Sequence, residues 1–275
     1  MTAYLGSLGS LVRVECPADQ SKDTERPARY LSTLGGATFA QVGPRTKRSW
    51  DVRLPRISTP ADVATWQAFV EGEFGNGPWW FVPEMAATTN LVSPRGSVLD
   101  HGGSVHGGTS PNGGPLVLPD GSRAGRSWMV EPNTTLILPW VGGTEPVPVI
   151  PGVPVTVSLW VDGSSVPQMR VAVYDGNGSF TRYVYGSTRS LSGPERFSVT
   201  FTPAEGEASC LIFMAGASSA YRVARPAISW TDTVRPWAVG AGAPAVHVAG
   251  FSEDITLAVP GSGMVGVSLT VQEVG

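Results

Sequence analysis

GNGPWWFVPEMAATTNLVSP, residues 75–94, decides how the rest of the chain is read. Trp79, Trp80 and Phe81 stand side by side between a glycine-rich turn and Pro83, and Asn90-Leu91-Val92-Ser93-Pro94 follows close behind. An apolar run of this kind fits an extended segment, and the composition changes directly after it. Residues 93–127 are rich in Gly, Ser, Pro and Asp, with few long apolar runs. The stretch therefore reads as a seam. The Trp-Trp-Phe strand is the last of one domain before the chain departs into another.

Upstream of the seam, residues 11–16 alternate as a strand, and residues 19–26 are polar and read as a loop. Residues 29–41 and 49–54 give two more strands joined through Gly43-Pro44. A helix follows. Thr59 suits the N-cap, Pro60 fits the first helical position, and Asp62 favours the helix dipole. Val63, Trp66, Phe69 and Val70 fall at helical spacing on one face, and Gly72 or Gly75 ends the helix.

Downstream, short strands recur across residues 128–230. Asp175-Gly176-Asn177-Gly178 is a hairpin signal, and Phe197, Val199 and Phe201 alternate with Ser198, Thr200 and Thr202 as in a sheet wet on one face. This predicts a β-sandwich over residues 91–236. Three strands at 245–249, 255–259 and 264–274 would be marginal alone, and residues 1–90 offer them strands and a helix face. The expected fold is all-β with one short helix. Residues 1–90 and 237–275 form one discontinuous domain, interrupted by the sandwich, and Trp237 marks the return.

A net charge of −3 and a pI of about 5.6 give no electrostatic reason to expect a nucleic-acid partner. The basic cluster Arg45-Thr46-Lys47-Arg48 reads as a solvated turn ahead of a phosphate contact. Cys16 and Cys210 lie in different expected domains, which favours two unpaired thiols and a reducing compartment. Residues 1–14 lack a basic region followed by a long apolar one, so no secretion signal is expected. No run of about 18 apolar residues suggests a membrane span.

The succession of Arg48-Ser49-Trp50, a Pro-initiated helix, Gly75-Asn76-Gly77-Pro78-Trp79-Trp80-Phe81 and Thr89-Asn90-Leu91 resembles minor tail proteins of siphophages infecting actinobacteria. The closing Val267-Ser268-Leu269-Thr270-Val271-Gln272-Glu273-Val274 resembles the end of the same domain. The resemblance implies a likeness to the N-terminal β-barrel of distal tail proteins, which carries one helix and forms a ring under the tail tube. Residues 149–161 and 196–202 resemble a carbohydrate-binding-module sandwich of the jelly-roll type, as found inserted in some such baseplate proteins. In the better-known distal tail layout the accessory domain follows a completed ring domain, and this chain departs from that.

The implied role is a structural component of the tail tip or baseplate. Its copies would form a hexamer- or trimer-related ring beside tail-tube and tail-tip proteins, in a virion tail assembled in the host cytoplasm. Trp79, Trp80 and Phe81 are the expected protomer interface. The alternative is a host-surface carbohydrate-binding adhesin whose outer segments are only an anchor.

Cell-wall hydrolysis would need paired carboxylates, a metal site or an activated nucleophile. Glu205 and Glu207 lie in a glycine-flanked turn and are expected to face solvent. His101 and His106 read as loop histidines and His247 as a strand residue. Asp175-Gly176-Asn177-Gly178-Ser179 imitates the opening of a calcium loop, but the closing acidic position is occupied by Gly186. The acidic final segment (Glu253, Asp254, Glu273) reads as solvated loop charge ahead of a lumen-facing surface that repels DNA. No enzyme, metal or cofactor is expected.

A binding surface is a stronger expectation. In residues 153–161 the side chains alternate, leaving Trp160 with Thr156 and Ser158 on one face. Pairing Val173 with Phe180 across the Asp-Gly turn sends Arg170 and Tyr174 to one face with Thr181, Tyr183 and Tyr185, and Arg182 to the core side. If the strands share a sheet, Trp160, Arg170, Tyr174, Tyr183 and Tyr185 form an aromatic surface with a guanidinium beside it, suited to sugar. A core or protomer-contact role is preferred for Trp160; the tyrosines read equally well either way.

Overall fold

Strand pairing accounts for most of the architecture, and among the described residues every pairing with a defined register is antiparallel. The structure is a computed structural model that describes residues 2–15, 19–25, 28–33, 38–42, 47–54, 60–100, 109–110, 113–139, 144–164, 167–188, 190–215, 217–259 and 262–274. The chain forms two compact units. One comprises Met1–Gly6, Val12–Phe81 and Ala245–Gly275, the other Ser7–Leu11 and Val82–Pro244.

The first unit is built on a seven-stranded sheet in the order Ser10–Glu15, Thr2–Ser7, Trp79–Val82, Ala243–Val259, Ser262–Glu273, Lys47–Leu54, Asp19–Glu25. Its centre joins distant parts of the chain, with Val267 opposite Leu54 and Gln272 opposite Ser49. The sheet ends in two edges. Among the described residues it does not close into the barrel that the resemblance implied. Residues 19–25, expected as a loop, are instead an edge strand whose register sets Asp19 opposite Arg53 and Glu25 opposite Lys47. Charge at an edge blocks further pairing, which is why so polar a segment can be a strand and why the sheet stays open there.

Other boundaries also moved. Residues 28–42 are a hairpin of Ala28–Ser32 and Thr38–Val42, not one strand, and Tyr30, Leu31 and Phe39 on it are exposed. The final segment holds two long strands where three were expected, interrupted by irregularities in register and not by turns. The positions read as a solvated basic turn begin a strand. Arg48 is buried and donates through Nε and Nη2 to the Glu273 carboxylate at 2.8 and 2.6 Å, its guanidinium 5.1 Å from the Trp50 ring. Glu273 is therefore the partner of a buried cation, not loop charge. Arg45, Thr46 and Cys16 lie outside the described residues.

The helix spans Pro60–Val70, and Thr59 lies outside the described residues. It ends at Gly72, whose φ is 82°. Gly72 N–H donates to Phe69 O at 3.4 Å and Glu73 N–H to Ala68 O at 2.9 Å, the crossed pair of bonds that a glycine in the left-handed region allows. Val63, Trp66 and Phe69 are buried, whereas Val70, the last helical residue, is exposed past the end of the stripe. Two short helices, Glu84–Thr88 and Pro94–Ser97, were not foreseen. Among the described residues no helix is long and apolar enough to cross a membrane.

Trp79, Trp80 and Phe81 are only 4%, 6% and 1% exposed. Their strand runs between two neighbours in the sheet and is covered on both faces. Trp79 meets Phe69 edge-on at 5.4 Å, its N–H donates to Phe74 O at 3.3 Å, and Phe81 meets Trp50 at 5.1 Å. The expected protomer interface is thus the interior of this unit. The chain's own helix and sheet occupy the contacts another copy would have made.

The second unit is a β-sandwich. One sheet runs Glu195–Phe201, Val155–Gly163, Tyr221–Ser229, Trp128–Val130, Thr109–Ser110. The other runs Leu136–Leu138, Glu207–Ala215, Gln168–Asp175, Phe180–Tyr185, with Val147–Pro148 also paired to Glu207–Ala215. Alternate residues of both sheets, among them Val155, Val157, Leu159, Val171, Val173 and Ile212, are wholly buried. Burial also pushes the Cys210 thiol up to about 12, so this cysteine is unreactive in the folded protein.

The start and end of this unit are tied through Asn90, which has no solvent exposure. Its Nδ2 donates to Pro226 O at 3.2 Å and Ala238 O at 3.0 Å, and its Oδ1 accepts from Val92 N and Ile228 N, both at 3.2 Å. Backbone bonds reinforce the tie, from Leu91 N to Ile228 O at 2.7 Å and from Ala241 N to Asn90 O at 2.9 Å. Beside it, Gly240 N–H donates to Ser97 Oγ at 2.8 Å.

Candidate functional site

The strand Gln168–Asp175 lies between Phe180–Tyr185 and Glu207–Ala215, and its alternation turns Met169, Val171 and Val173 inward. Arg170, Ala172 and Tyr174 therefore share the other face. The registers arrange that face in rows across the sheet. Tyr185, Arg170, Phe213 and Ile137 make one row, Tyr183, Ala172 and Leu211 the next, and Phe180, Tyr174 and Ser209 the third.

The rings form a connected surface. Tyr183 lies 6.0 Å from Tyr185, 5.8 Å from Phe213 and 4.6 Å from Phe180, and Phe180 lies 6.0 Å from Tyr174. Ala172, Leu211 and Phe213 form its buried floor, with Ile137, Tyr174 and Tyr183 packed against them. Phe180 and Tyr185 stand out from it, 50% and 58% exposed. The Arg170 guanidinium sits 4.5 Å from the Tyr183 ring centre and 5.8 Å from that of Phe213, and its buried Nε has no acceptor among the described residues. Burial, and then Tyr183, raises the Tyr174 hydroxyl above the ordinary tyrosine value, so it stays a neutral donor and acceptor. The face offers flat apolar rings, hydroxyls and a planar cation side by side.

Four of the five residues expected to line a binding surface thus come together: Arg170, Tyr174, Tyr183 and Tyr185. Trp160 does not. It lies in the other sheet, where it is packed against Leu116, Leu118, Ala124 and Ala224. The register also differs by a bulge, since Tyr174 and not Val173 stands opposite Phe180. That bulge brings Phe180 onto the face, an addition the alternation of residues 180–185 could not supply. Phe213 went unnoticed because Cys210–Met214 is a continuous apolar run with no polar alternation to mark its faces.

The core-side position of Arg182 is resolved by Glu207. This carboxylate, expected in solvent, is 3% exposed. It accepts from Arg182 Nε at 2.6 Å and Nη2 at 2.9 Å, and from Ala204 N at 2.7 Å. The hydrogen bond from Arg182, aided by that from Ala204, holds the Glu207 carboxyl below the usual glutamate range against the opposing effect of burial. A lowered folded-state value means stability that is present above the ordinary glutamate pKa of about 4.3 and lost as pH falls through the folded value. Urea unfolding of the wild type and Glu207→Gln is expected to show the variant less stable at neutral pH, the gap closing in acid. A gap independent of pH would contradict the ion pair.

Glu205 is exposed, and His101 and His106 lie outside the described residues. The Asp175 carboxylate accepts from Asn177 N at 2.9 Å and Ser179 N at 2.8 Å, closing its own turn. His247 packs against Trp79 at 6.0 Å.

No protein-family model and no curated protein matches the chain. Solved structures resemble parts of it. The xylan-binding domain CBM22-1 of Xyn10C from Paenibacillus barcinonensis is similar over 54% of this chain and 100% of that one, at 19% identity and a TM-score of 0.34. TmCBM61, solved in complex with β-1,4-galactotriose, is similar over 52% of this chain and 100% of its own, at 11% identity and a TM-score of 0.32. The enzymatically active domain of tailspike protein 4 of bacteriophage CBA120 matches 52% of this chain at 10% identity and a TM-score of 0.38. This chain spans only 21% of that phage protein's length. Likenesses so partial assign neither family nor function.

Proposed function

We propose that this chain is a non-catalytic structural component of a bacteriophage tail tip whose sandwich contacts host-surface glycan through the Arg170 face. The observation that carries the glycan reading is Arg170 itself, flanked by Tyr183 and Phe213 and with an Nε that has no acceptor among the described residues, in a partly exposed aromatic surface. Aromatic faces suit the apolar C–H faces of pyranose rings, and a guanidinium fork suits their hydroxyls or carboxylates.

The tail reading is supported by the resemblance of the outer segments to minor tail proteins of siphophages infecting actinobacteria, of the distal-tail type. The hairpin Ala28–Ser32/Thr38–Val42 adds to it. A two-stranded sheet is marginal alone, and exposed Tyr30, Leu31 and Phe39 suit contact with a neighbouring subunit. In this reading copies of the chain close into a hexamer- or trimer-related ring beside tail-tube and tail-tip proteins, in a virion assembled in the host cytoplasm. The ring reading requires the full chain to self-associate, which light scattering tests; a monomer at every concentration would favour the adhesin with a mere anchor.

Binding of cell-wall polysaccharide by the full chain is the direct test of the glycan reading. Tyr183→Ala is expected to weaken it about 3- to 10-fold, the worth of one well-placed aromatic contact. Trp160→Ala, in the other sheet, should leave it unchanged. Equal affinity in Tyr183→Ala and wild type would remove this face from consideration.

A further inference from the structure

A cleft of about 390 Å³ opens elsewhere in the second unit, lined by Asp100, Arg123, Arg126, Arg225 and Trp237 among others. Among the described residues its lining charge is lopsided, with three arginines against one carboxylate. Asp100 is engaged by Arg126 in an ion pair, and both side chains are largely exposed. Arg123 and Arg225 form no side-chain ion pair among the described residues. Arg225 is attracted by the nearby Asp120 carboxylate, which leaves Arg123 as the cation at the cleft with the least compensation.

The backbone is shaped to deliver Arg225. In the strand Tyr221–Ser229 the register slips, so that Arg225 and Pro226 together face Leu159. This is a β-bulge, a device that re-aims a side chain out of the sheet's regular alternation. Arg225 adopts a φ of 53°, a left-handed conformation that a long side chain keeps only where its surroundings hold it. Here its Nη1 donates to Ser122 Oγ at 2.8 Å and its Nη2 to Arg123 O at 3.0 Å, while the guanidinium lies 4.8 Å from the Trp237 ring centre. The concentration of positive charge extends to Arg196, whose guanidinium is held below the ordinary arginine value by burial and then by Arg225.

We infer that this cleft binds a sugar unit carrying a carboxylate or phosphate. The arginines supply the anion contacts, Arg123 first among them. Val98, Ala124 and the Trp237 indole give the cleft apolar walls. Such walls suit an anion borne on an organic ring over a bare inorganic one. The inference is independent of the Arg170 face, which lies on the other sheet.

The test is calorimetric titration of the full chain with glucuronic acid, glucose 1-phosphate, glucose and inorganic phosphate, at low and high salt. At least one of the two charged sugars is expected to bind about ten-fold or more tightly than glucose, weakening as salt rises. The stronger of the two identifies the anion. Arg123→Ala should lose most of that preference while leaving the melting temperature unchanged, since its side chain is exposed. Tyr183→Ala should retain it, so failure here and failure of the Arg170 reading are separable. Neither charged sugar exceeding glucose, inorganic phosphate matching both, or equal affinities in Arg123→Ala and wild type would each overturn the inference.

Discussion

Replacing Asn90 with alanine is expected to lower the unfolding free energy by about 3–5 kcal/mol, measured by urea denaturation. The amide is fully buried and makes four hydrogen bonds, two donated and two accepted, and all of them go to the backbone. Alanine removes them together. It strands the carbonyls of Pro226 and Ala238 and the N–H groups of Val92 and Ile228 in an interior where an unmet polar group costs about 1–3 kcal/mol. Asn90→Asp should be comparably damaging despite its near-identical shape, because a carboxylate oxygen would then face two carbonyls. A loss under about 1 kcal/mol in the alanine variant would mean the tie contributes little.

Gly240→Ala is expected to be at least as severe, about 4 kcal/mol or more, or to prevent folding. A Cβ built there falls 1.9 Å from Val92 O and 2.8 Å from Ser93 O, and both are backbone atoms with little room to yield. The cause is space and not backbone angle. Gly75 provides the contrast, with a φ of 88° and nothing among the described residues within 4 Å of an added Cβ. Gly75→Ala should therefore cost only about 1 kcal/mol, the penalty of a left-handed conformation. Thermal melts of the two variants side by side distinguish the mechanisms. Equal shifts would show that the crowding at Gly240 is relieved by movement of the backbone.

Much of this was legible because it depends on short-range periodicity. The helix announced itself through Val63, Trp66 and Phe69 and through the glycine at which it stops. The hairpin at Asp175 followed from turn chemistry, and the common face of Arg170, Tyr174, Tyr183 and Tyr185 from the two-residue repeat of a strand. What the alternation does not carry is sheet membership. Trp160 shows the same pattern whichever sheet receives it, so its separation from the tyrosines was invisible. Phe180 escaped because a bulge breaks the count.

The Trp79–Phe81 run illustrates a different limit. Apolar residues between turns look the same whether they form a core or a docking surface, and only the covering helix and flanking strands decide. Glu207 and Asp19–Glu25 erred in the opposite direction. Polarity alone looks the same in a solvated residue or loop as in a carboxylate that a distant arginine buries or a strand that lies at a sheet edge.

The pairing of Ser49–Leu54 with Val267–Gln272 sets an order of events during synthesis. The first unit's sheet cannot be completed until the ribosome has passed the whole of residues 82–244, so its early strands wait with a bare edge. Closing so long a loop from a disordered chain is slow and entropically costly. Once the intervening unit has folded, Asn90 Nδ2 holds Ala238 O at 3.0 Å, and the returning strand is delivered near where the chain left. A lesion that slows folding of residues 82–244 should therefore leave the outer segments prone to swapping strands between nascent copies.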